Sequence, residues 1–261
     1  NPIIRTHAAI ALIKMDDDLG HGEIETAIAG TDTDLAQIAM QGLEEAGYFG
    51  VPLLMTLNNR AGSHQAALAG VVAKVKDQLV AQLEAEEPTH RQRSAHALGQ
   101  IGAASTATAL ENLLEDPSNQ VRFSAAAALA SMGQAKGIDF LFQALRNTDS
   151  ILRANAVKFL ADVQRQSGSV EAQLVTALDA QDPLARAGAA QVLGQAGVQT
   201  ALEALIKATA DEVAEVRANA VIALGRIGAD QSRARLESLL EDSDATVSYY
   251  AEWALGQLGS S

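Results

Sequence analysis

Six arginines recur at nearly constant intervals, and this row of guanidinium groups is the pattern in the chain with the clearest chemical potential. They are Arg5, Arg91, Arg122, Arg153, Arg186 and Arg217. A guanidinium binds carboxylate or phosphate through paired hydrogen bonds, so the row could be structural, or it could bind phosphate or take part in catalysis. An acidic residue or Asn precedes each arginine by four to six residues. We expect each arginine to bond such a carboxylate or a loop carbonyl, in its own repeat or in the adjacent one.

The sequence contains no recognisable pattern for a metal site or a cofactor site. A zinc site needs three or four convergent ligands, often three or four residues apart on a helix. The five histidines do not pair at that spacing, and cysteine is absent. A Gly-x-x-Gly pattern at 99/102, 194/197, 225/228 and 256/259 follows helical stretches and is not continued by the lysine of a phosphate-binding loop. We therefore predict no metal, no cofactor and no enzymatic activity.

Composition restricts the partners that the chain could have. The net charge is −13, which disfavours binding to a polyanion such as nucleic acid. No apolar run approaches the roughly 18 residues that a membrane span requires. We predict a protein as the partner, with no nucleic acid and no membrane, and a cytoplasmic location.

The spacing of the arginines indicates which structural elements carry them. In the same register, Ala36, His64 and Ser248 take the arginine's place, and the intervals become 31, 28, 27, 31, 31, 33, 31 and 31 residues. A period of this length is typical of a solenoid of stacked helix pairs. Alanine dominates the apolar residues and aromatic residues make up only 3%. We predict an all-α fold, a right-handed α-α superhelix of about eight to nine two-helix repeats.

One repeat, residues 199–228, shows the pattern clearly. Ala201, Leu202, Leu205 and Ile206 have the spacing of a first helix. A second helix over 216–227 follows, within which Gly225 would permit close helix contact. Gly228 is suited to the left-handed conformation that ends a helix.

These repeats resemble HEAT repeats, and most closely the short phycobilisome-lyase HEAT-like type. The segments that carry the resemblance are VRFSAAAALASMG (121–133), LRANAVKFLADV (152–163), ARAGAAQVLGQAG (185–197) and VRANAVIALGRIG (216–228). The resemblance implies either a protein-binding scaffold or adaptor, or a subunit of an E/F-type phycobilin lyase or another chromophore-handling protein. The tract VSYYAEWALGQLG (247–259) is similar to a tyrosine- and tryptophan-rich helix of E-type lyases, where it lies near the other end of the chain.

The predicted organisation is a single solenoid over residues 1–261. The repeats in 31–90 are irregular, and a capping repeat covers 231–261. A nearly continuous helix is predicted over 69–83, and Tyr48 and Phe49 are either packed beneath the irregular repeat or exposed for contact. Asn1-Pro2-Ile3-Ile4-Arg5 has the pattern of a second helix, so we expect a fragment or domain of a longer protein.

Candidate binding residues come from the second helices, which line the concave side of HEAT stacks. We expect the residues one, two, five and nine positions after the repeated arginine to face outward. This set varies from repeat to repeat and predicts a partner-binding surface, with a helix of the partner as a candidate occupant of the concave groove. The polar and basic side would contain Gln92, Arg93 and His96, with Phe123 and Lys158. The apolar anchor would be Tyr249, Tyr250 and Trp253, which could alternatively form a terminal cap.

Overall fold

The computed structural model describes residues 1–60, 62 and 64–259, and the regular structure in these residues is entirely helical. This confirms the predicted all-α class. The longer helices have the following bounds: α1 Pro2–Lys14, α2 His21–Ala29, α3 Thr33–Ala46, α4 Val51–Asn58, α5 Gln65–Gln82, α6 Pro88–Ile101, α7 Ala107–Asn112, α8 Asn119–Ser131, α9 Ala135–Ala144, α10 Ser150–Ser167, α11 Glu171–Ala177, α12 Pro183–Ala196, α13 Leu202–Ala208, α14 Ala214–Ile227, α15 Arg233–Ser238 and α16 Ala245–Leu258.

The helices form two compact units, Asn1–Met132 with α1 to α8 and Gly133–Ser261 with α9 to α16. In most repeats of each unit, a short first helix is followed by a longer second helix, and successive second helices pack side by side; α5 and α6 follow one another without a first helix between them. The second helices are α1, α3, α5, α6 and α8 in the first unit and α10, α12, α14 and α16 in the other. Paired helices in tandem are the architecture of a helical solenoid. The assignment of residues 1–261 to a single array stays a prediction.

The repeated arginine occupies the same place in each second helix that carries it. Arg5, Arg91, Arg122, Arg153, Arg186 and Arg217 are each the fourth residue of a helix, and so are Ala36 and Ser248. The preceding turn is fixed by local chemistry, as where the Asp182 carboxylate accepts a bond from the N–H of Leu184 and Pro183 starts the helix. Glycine at positive φ ends several second helices, including Gly197 and Gly228.

The irregular region differs from the regular repeats through α5. This helix is continuous over 18 residues, as the prediction for 69–83 required, and it contacts α3, α4 and α6 directly. Its buried side chains Leu68 and Val71 lie four and seven residues after His64, as the buried Ala95 and Leu98 do after Arg91. His64 lies just before the first residue of α5, whereas the register residue of the other second helices is their fourth residue, so the helix boundary is what makes this repeat irregular.

The core contains one leucine from most second helices, seven residues after the register position. Leu43, Leu98, Leu129, Leu160, Leu193 and Leu224 are all at most 1% exposed. Burial of such a side chain contributes about 2 kcal/mol, so these positions anchor each repeat through the hydrophobic effect.

Three arginines join one repeat to the next through a buried ion pair, which we call the inter-repeat bridge. Arg91 binds both carboxylate oxygens of Asp116 at 2.8 and 3.0 Å. The pairs Arg186–Asp211 and Arg217–Asp242 have the same two-bond geometry and the same separation of 25 residues. The arginine and aspartate side chains of the bridges are at most 13% exposed.

Each bridging arginine also bonds its own repeat. Arg217 donates to the carbonyls of Asp211 and Glu212, six and five residues earlier. Asp211 thus accepts bonds from Arg186 through its side chain and from Arg217 through its carbonyl. The expectation that the arginines bond loop carbonyls and carboxylates is confirmed, with the bridging carboxylate lying in the next repeat.

Arg122 and Arg153 are not followed by an aspartate 25 residues later, because Asn147 and Leu178 stand there. Arg122 bonds the carbonyls of Asp116 and Pro117, and Arg153 bonds those of Asn147 and Thr148. The residue 25 positions after Arg153 is Leu178, which has no group to accept such a bond. The bridge therefore requires an aspartate 25 residues after the arginine.

Bridging stabilises the ionised aspartates. The hydrogen bond from Arg217 lowers the pKa of Asp242, and it outweighs the opposing effect of burial. The hydrogen bond from Arg91 does the same for the pKa of Asp116. Burial by itself would raise the pKa of Asp211, but the bonds from Arg186 and from the Val213 N–H lower it overall.

We predict that Asp242→Asn lowers the free energy of unfolding by about 2–4 kcal/mol at pH 7, because it leaves the buried Arg217 without its counter-charge. The contribution of a carboxylate with a lowered pKa is complete above the unfolded pKa of about 3.9 and is lost as the pH falls through the lower folded value. The difference between wild type and variant should therefore narrow below about pH 3.9. Urea denaturation at several pH values measures both effects.

The matched control is Asp179→Asn. Asp179 also forms an ion pair in the second unit, with Lys207 at 2.8 Å, but both side chains are at least 66% exposed. Its loss should cost less than about 1 kcal/mol. Equal losses in the two variants would contradict a special role for the bridge.

Candidate functional site

The second helices present the candidate surface, and glycine–alanine contacts set the distance between these helices. Gly99, Gly194 and Gly225 each lie eight residues after a bridging arginine. A Cβ added at these glycines would lie 2.8, 2.7 and 2.8 Å from the Cβ of Ala128, Ala223 and Ala254 respectively. Those alanines belong to the next second helix in each case. In the three helix pairs that have an inter-repeat bridge, these glycine–alanine contacts thus hold the same two helices close together further along their length.

In the first unit, the predicted polar residues lie on α6. Arg93 and His96 are exposed, and Gln92 is half-buried. The Arg93 guanidinium lies 5.4 Å from the centre of the Tyr48 ring and 4.9 Å from that of Phe49, within the range of a cation–π contact. The side chain of Arg93 is therefore held against two aromatic rings and is not extended into solvent.

Tyr48 and Phe49 themselves lie between α3 and α4. Their ring centres are 4.4 Å apart, and both side chains are half-buried and packed against the core of the first unit. We predicted that these two rings either pack beneath the irregular repeat or are exposed for contact. Most of the surface of both rings is packed, which agrees with the first alternative. The sequence alone did not indicate that Arg93 would cover them, because the two segments are 45 residues apart.

The prediction for Phe123 was wrong. We expected its side chain to face outward on α8, but it is only 2% exposed. The same position, one residue after the register residue, is also buried at Ala187 and Ala218 but exposed at Ala154 and Tyr249, so its burial depends on the repeat. Phe123 therefore stabilises the fold and is not available at the surface.

In the second unit, Lys158 is exposed on α10, with its ammonium group 5.8 Å from the centre of the Phe159 ring. Between α12 and α14, the Gln191 amide donates to the Asn219 side-chain oxygen at 2.8 Å. The Asn219 amide in turn donates to the Glu215 carbonyl at 2.8 Å. These polar groups satisfy one another on the second-helix surface.

The aromatic residues of α16 form the most distinctive surface of this unit, which we call the aromatic patch: Tyr249, Tyr250 and Trp253. Tyr249 is 65% exposed, and its ring meets that of Tyr250 edge to face with centres 5.3 Å apart. Tyr250 and Trp253 are half-buried. The patch therefore combines one exposed ring, that of Tyr249, with two half-buried rings that pack against the protein.

Trp253 is supported by α14. A Cβ at Gly225 would lie 2.7 Å from an edge carbon of the Trp253 ring, so the ring occupies the space that the glycine leaves. The two interpretations of the aromatic tract, terminal packing and partner contact, thus apply to different residues. Trp253 packs between neighbouring helices, and Tyr249 is the residue with a free face.

The sequence did not indicate one concave surface of the second unit. A groove of about 720 Å³ lies on the first-helix side, between α9 and α11. Ile138, Phe142 and Ala177 line it together with Asp139 and Arg146. Its residues come from first helices, whose apolar spacing by itself predicts only core packing.

Within the described ranges, no cluster of three or more His, Asp and Glu side chains is arranged to hold a metal ion. In the same residues, no helix combines the length and apolar character needed to cross a membrane.

Paired helices with a period near 31 residues define this chain as a helical-repeat protein. A family model of HEAT repeats matches residues 76–161 and 170–256. The chain belongs to the HEAT-repeat family. No curated protein sequence matches it.

Solved structures show the same fold in other repeat proteins. A mutant of Kap121p has a TM-score of 0.52 at 11% identity, over 99% of this chain and 32% of that one. Importin beta has a TM-score of 0.51 at 15% identity, over 98% of this chain and 42% of that one. Human deoxyhypusine hydroxylase has a TM-score of 0.38 at 21% identity, over 96% of this chain and 100% of that one. The likeness to Kap121p and importin beta, at these identities, concerns the fold alone.

We predict that Gly225→Ala destabilises the second unit by about 1–3 kcal/mol, because the new methyl group overlaps Trp253 and Ala254. Thermal denaturation followed by circular dichroism measures the loss, and tryptophan fluorescence should report a displaced ring. Gly256→Ala is the control, since that helical position has no atom within 4 Å of an added Cβ. It should be neutral or stabilise by up to about 1 kcal/mol. A destabilised Gly256→Ala with an unaffected Gly225→Ala would refute the packing described here.

Proposed function

We propose that the protein is a non-enzymatic scaffold or adaptor that binds another protein through the surface of its second helices. The aromatic patch on α16 would be the principal apolar contact. The observation that supports this most directly is Tyr249, a large side chain that is 65% exposed beside two supported aromatic rings. Tyrosine and tryptophan dominate the binding energy of many interfaces, and stacked repeats commonly offer extended binding surfaces.

The frame beneath the patch supports the same proposal. Bridge Arg217–Asp242 and the contact of Gly225 with Ala254 fix α16 against α14. A surface held in one conformation loses little conformational entropy when a partner binds, which favours affinity. The rigid frame thus suits the recognition of a partner with a defined shape.

The charge of the chain supports a particular kind of partner. The net charge is −13, and Glu252 is exposed on the same helix as the patch. Electrostatic complementarity then favours a segment with an apolar or aromatic anchor and basic flanking residues. An amphipathic helix of that composition is the partner element that we propose, with Lys158 of α10 in the same unit as a further polar contact. In the first unit, Gln92, Arg93 and His96 of α6 would bind a separate part of the partner.

We predict that Tyr249→Ala weakens partner binding by about 30-fold, which corresponds to about 2 kcal/mol, without changing the thermal midpoint. Trp253→Ala should lower both affinity and midpoint, because its ring also packs on α14. The partner can be obtained from host extract by photo-crosslinking with a benzophenone amino acid at position 249, and its affinity then measured by calorimetry.

Ile151 provides the control, as a side chain that is 70% exposed on α10 in the same unit. Ile151→Ala should leave both affinity and midpoint unchanged, and a crosslinker at position 151 should not capture the partner. If Tyr249→Ala binds as tightly as wild type, the patch does not contribute to recognition.

A second candidate function, phycobilin handling, follows from the finer family resemblance and from the aromatic tract of α16. In that case, we predict that a linear tetrapyrrole such as phycocyanobilin changes its absorbance spectrum when mixed with the protein. Tyr250→Ala should reduce the change, and the bilin should pass to a cysteine of an acceptor protein. An unaltered spectrum with no transfer would eliminate this candidate and leave the scaffold proposal intact.

A further inference from the structure

The groove between α9 and α11 lies where two first helices of the second unit leave a space at the surface. Its volume is about 720 Å³, which is within the range of small-molecule sites. The apolar part of its lining consists of Ile138, Phe142, Ala172, Ala177 and Ala180. Ile138 is 8% exposed and Phe142 is half-buried, so this lining is part of the packed protein. The groove therefore offers a supported apolar surface that is open to solvent.

A common register relates the first helices of this unit. Leu141, Leu174 and Leu205 hold the same place in α9, α11 and α13, and each is 0% exposed. Positions in different first helices therefore correspond when they lie at the same distance from this leucine.

Two side-chain bonds connect α11 to α13. Near the start of the helices, the Thr200 hydroxyl donates to the Glu171 carboxylate. Near their end, the Lys207 ammonium group donates to both carboxylate oxygens of Asp179 at 2.8 Å. Polar side chains thus join these two first helices at both ends.

The corresponding residues of α9 and α11 cannot form either bond. Ile138 takes the place of Glu171, and its side chain has no group that accepts a hydrogen bond. Arg146 and Thr176 take the places of the aspartate and the lysine. Because an arginine and a threonine do not form an ion pair, this junction stays open and its cation has no counter-charge from the neighbouring helix.

Arg146 is the charged group that the groove leaves free. It is exposed and lines the groove two residues after the end of α9. Among the residues that the structure describes, none accepts a hydrogen bond from its guanidinium group or forms an ion pair with it. Asp179 lines the same groove, but Lys207 counters its charge. The guanidinium of Arg146 can therefore bind both oxygens of an incoming carboxylate.

Asp139 gives the groove a direction. It lines the groove seven residues before Arg146, a separation of about 10 Å along a helix. A carboxylate is repelled at Asp139 and attracted at Arg146. A molecule with one carboxylate would thus place its charge at Arg146 and its apolar chain along Phe142 and Ile138. A second carboxylate at the far end of the chain would be disfavoured.

We propose that this groove binds a small monocarboxylate with an apolar chain, of the class of the medium-chain alkanoates. Arg146 would bind the carboxylate, and Phe142 and the alanines of α11 would contact the chain. The site consists of residues on first helices and contains no residue of the aromatic patch. The inference does not depend on the proposed function.

Titration calorimetry of the full chain with decanoate, at concentrations at which decanoate is monomeric, tests the proposal. We expect a dissociation constant below about 1 mM. Decanol lacks the charge and decanedioate carries a second carboxylate, so each should bind at least about 10-fold more weakly. Amide chemical shifts should change in α9 and α11.

Arg146→Gln should weaken decanoate binding by about 10-fold or more. The thermal midpoint should not change, because the side chain is exposed. Arg226→Gln is the matched control, since Arg226 is an exposed arginine of α14 in the same unit and does not line the groove. This control should bind decanoate as tightly as wild type.

A double variant, Arg146→Asp with Thr176→Lys, introduces at this junction the pair that Asp179 and Lys207 form at the next one. It should abolish decanoate binding and keep the thermal midpoint within about 2 °C of wild type. Absence of decanoate binding to wild type would overturn the proposal. Equal affinity in wild type, Arg146→Gln and the double variant would overturn it too, as would decanol that binds as tightly as decanoate.

A protein C-terminus presents the same chemistry from another source, and an acetylated pentapeptide that ends in leucine tests it. If this peptide binds more tightly than decanoate and Arg146→Gln weakens its binding, the occupant is a protein terminus and the proposal of a small molecule is wrong. Weaker binding of the peptide than of decanoate supports the proposal.

Discussion

The structure depends on the close and fixed approach of successive second helices. At the start of each bridged helix pair, a guanidinium binds a buried carboxylate of the next repeat. Further along, a glycine allows the two helices to approach until an alanine lies against the backbone. Arginine–aspartate geometry sets the lateral position, and the missing side chain sets the distance. The leucines then fill the space that remains between the helices.

This packing decides which residues are left for recognition. Most second-helix positions that face a neighbouring repeat hold alanine, valine or glycine, since larger side chains would separate the helices, and Phe123 is an exception. Variation is confined to positions that face away from these contacts. The aromatic patch shows the boundary between the two roles, because Trp253 fills the space above Gly225 while Tyr249, four residues before it, keeps a free face.

The sequence predicted the helices well because their signals are local. Proline and aspartate start them, glycine ends them, and leucine recurs at a constant offset from the arginine. Two features were not predictable in this way. The partner of Arg91 lies 25 residues further on, so it can be identified only when the angle between repeats is known. Phe123 was misplaced because a helical wheel gives the direction of a side chain within one helix but does not show how closely the next helix approaches.

The distribution of bridges also determines how the second unit should come apart. In a linear array, cooperativity is carried by contacts between neighbours, so a strongly joined series opens as one block. Asp211 accepts bonds from both Arg186 and Arg217, and Arg217 in turn binds Asp242 before α16, so α12, α14 and α16 are tied into such a block. Leu178 stands where a carboxylate for Arg153 would be, and the junction between α10 and α12 is correspondingly weaker. Subglobal opening is therefore expected to begin at that junction, with the three second helices beyond it detaching together, with the first helices between them, as a single foldon.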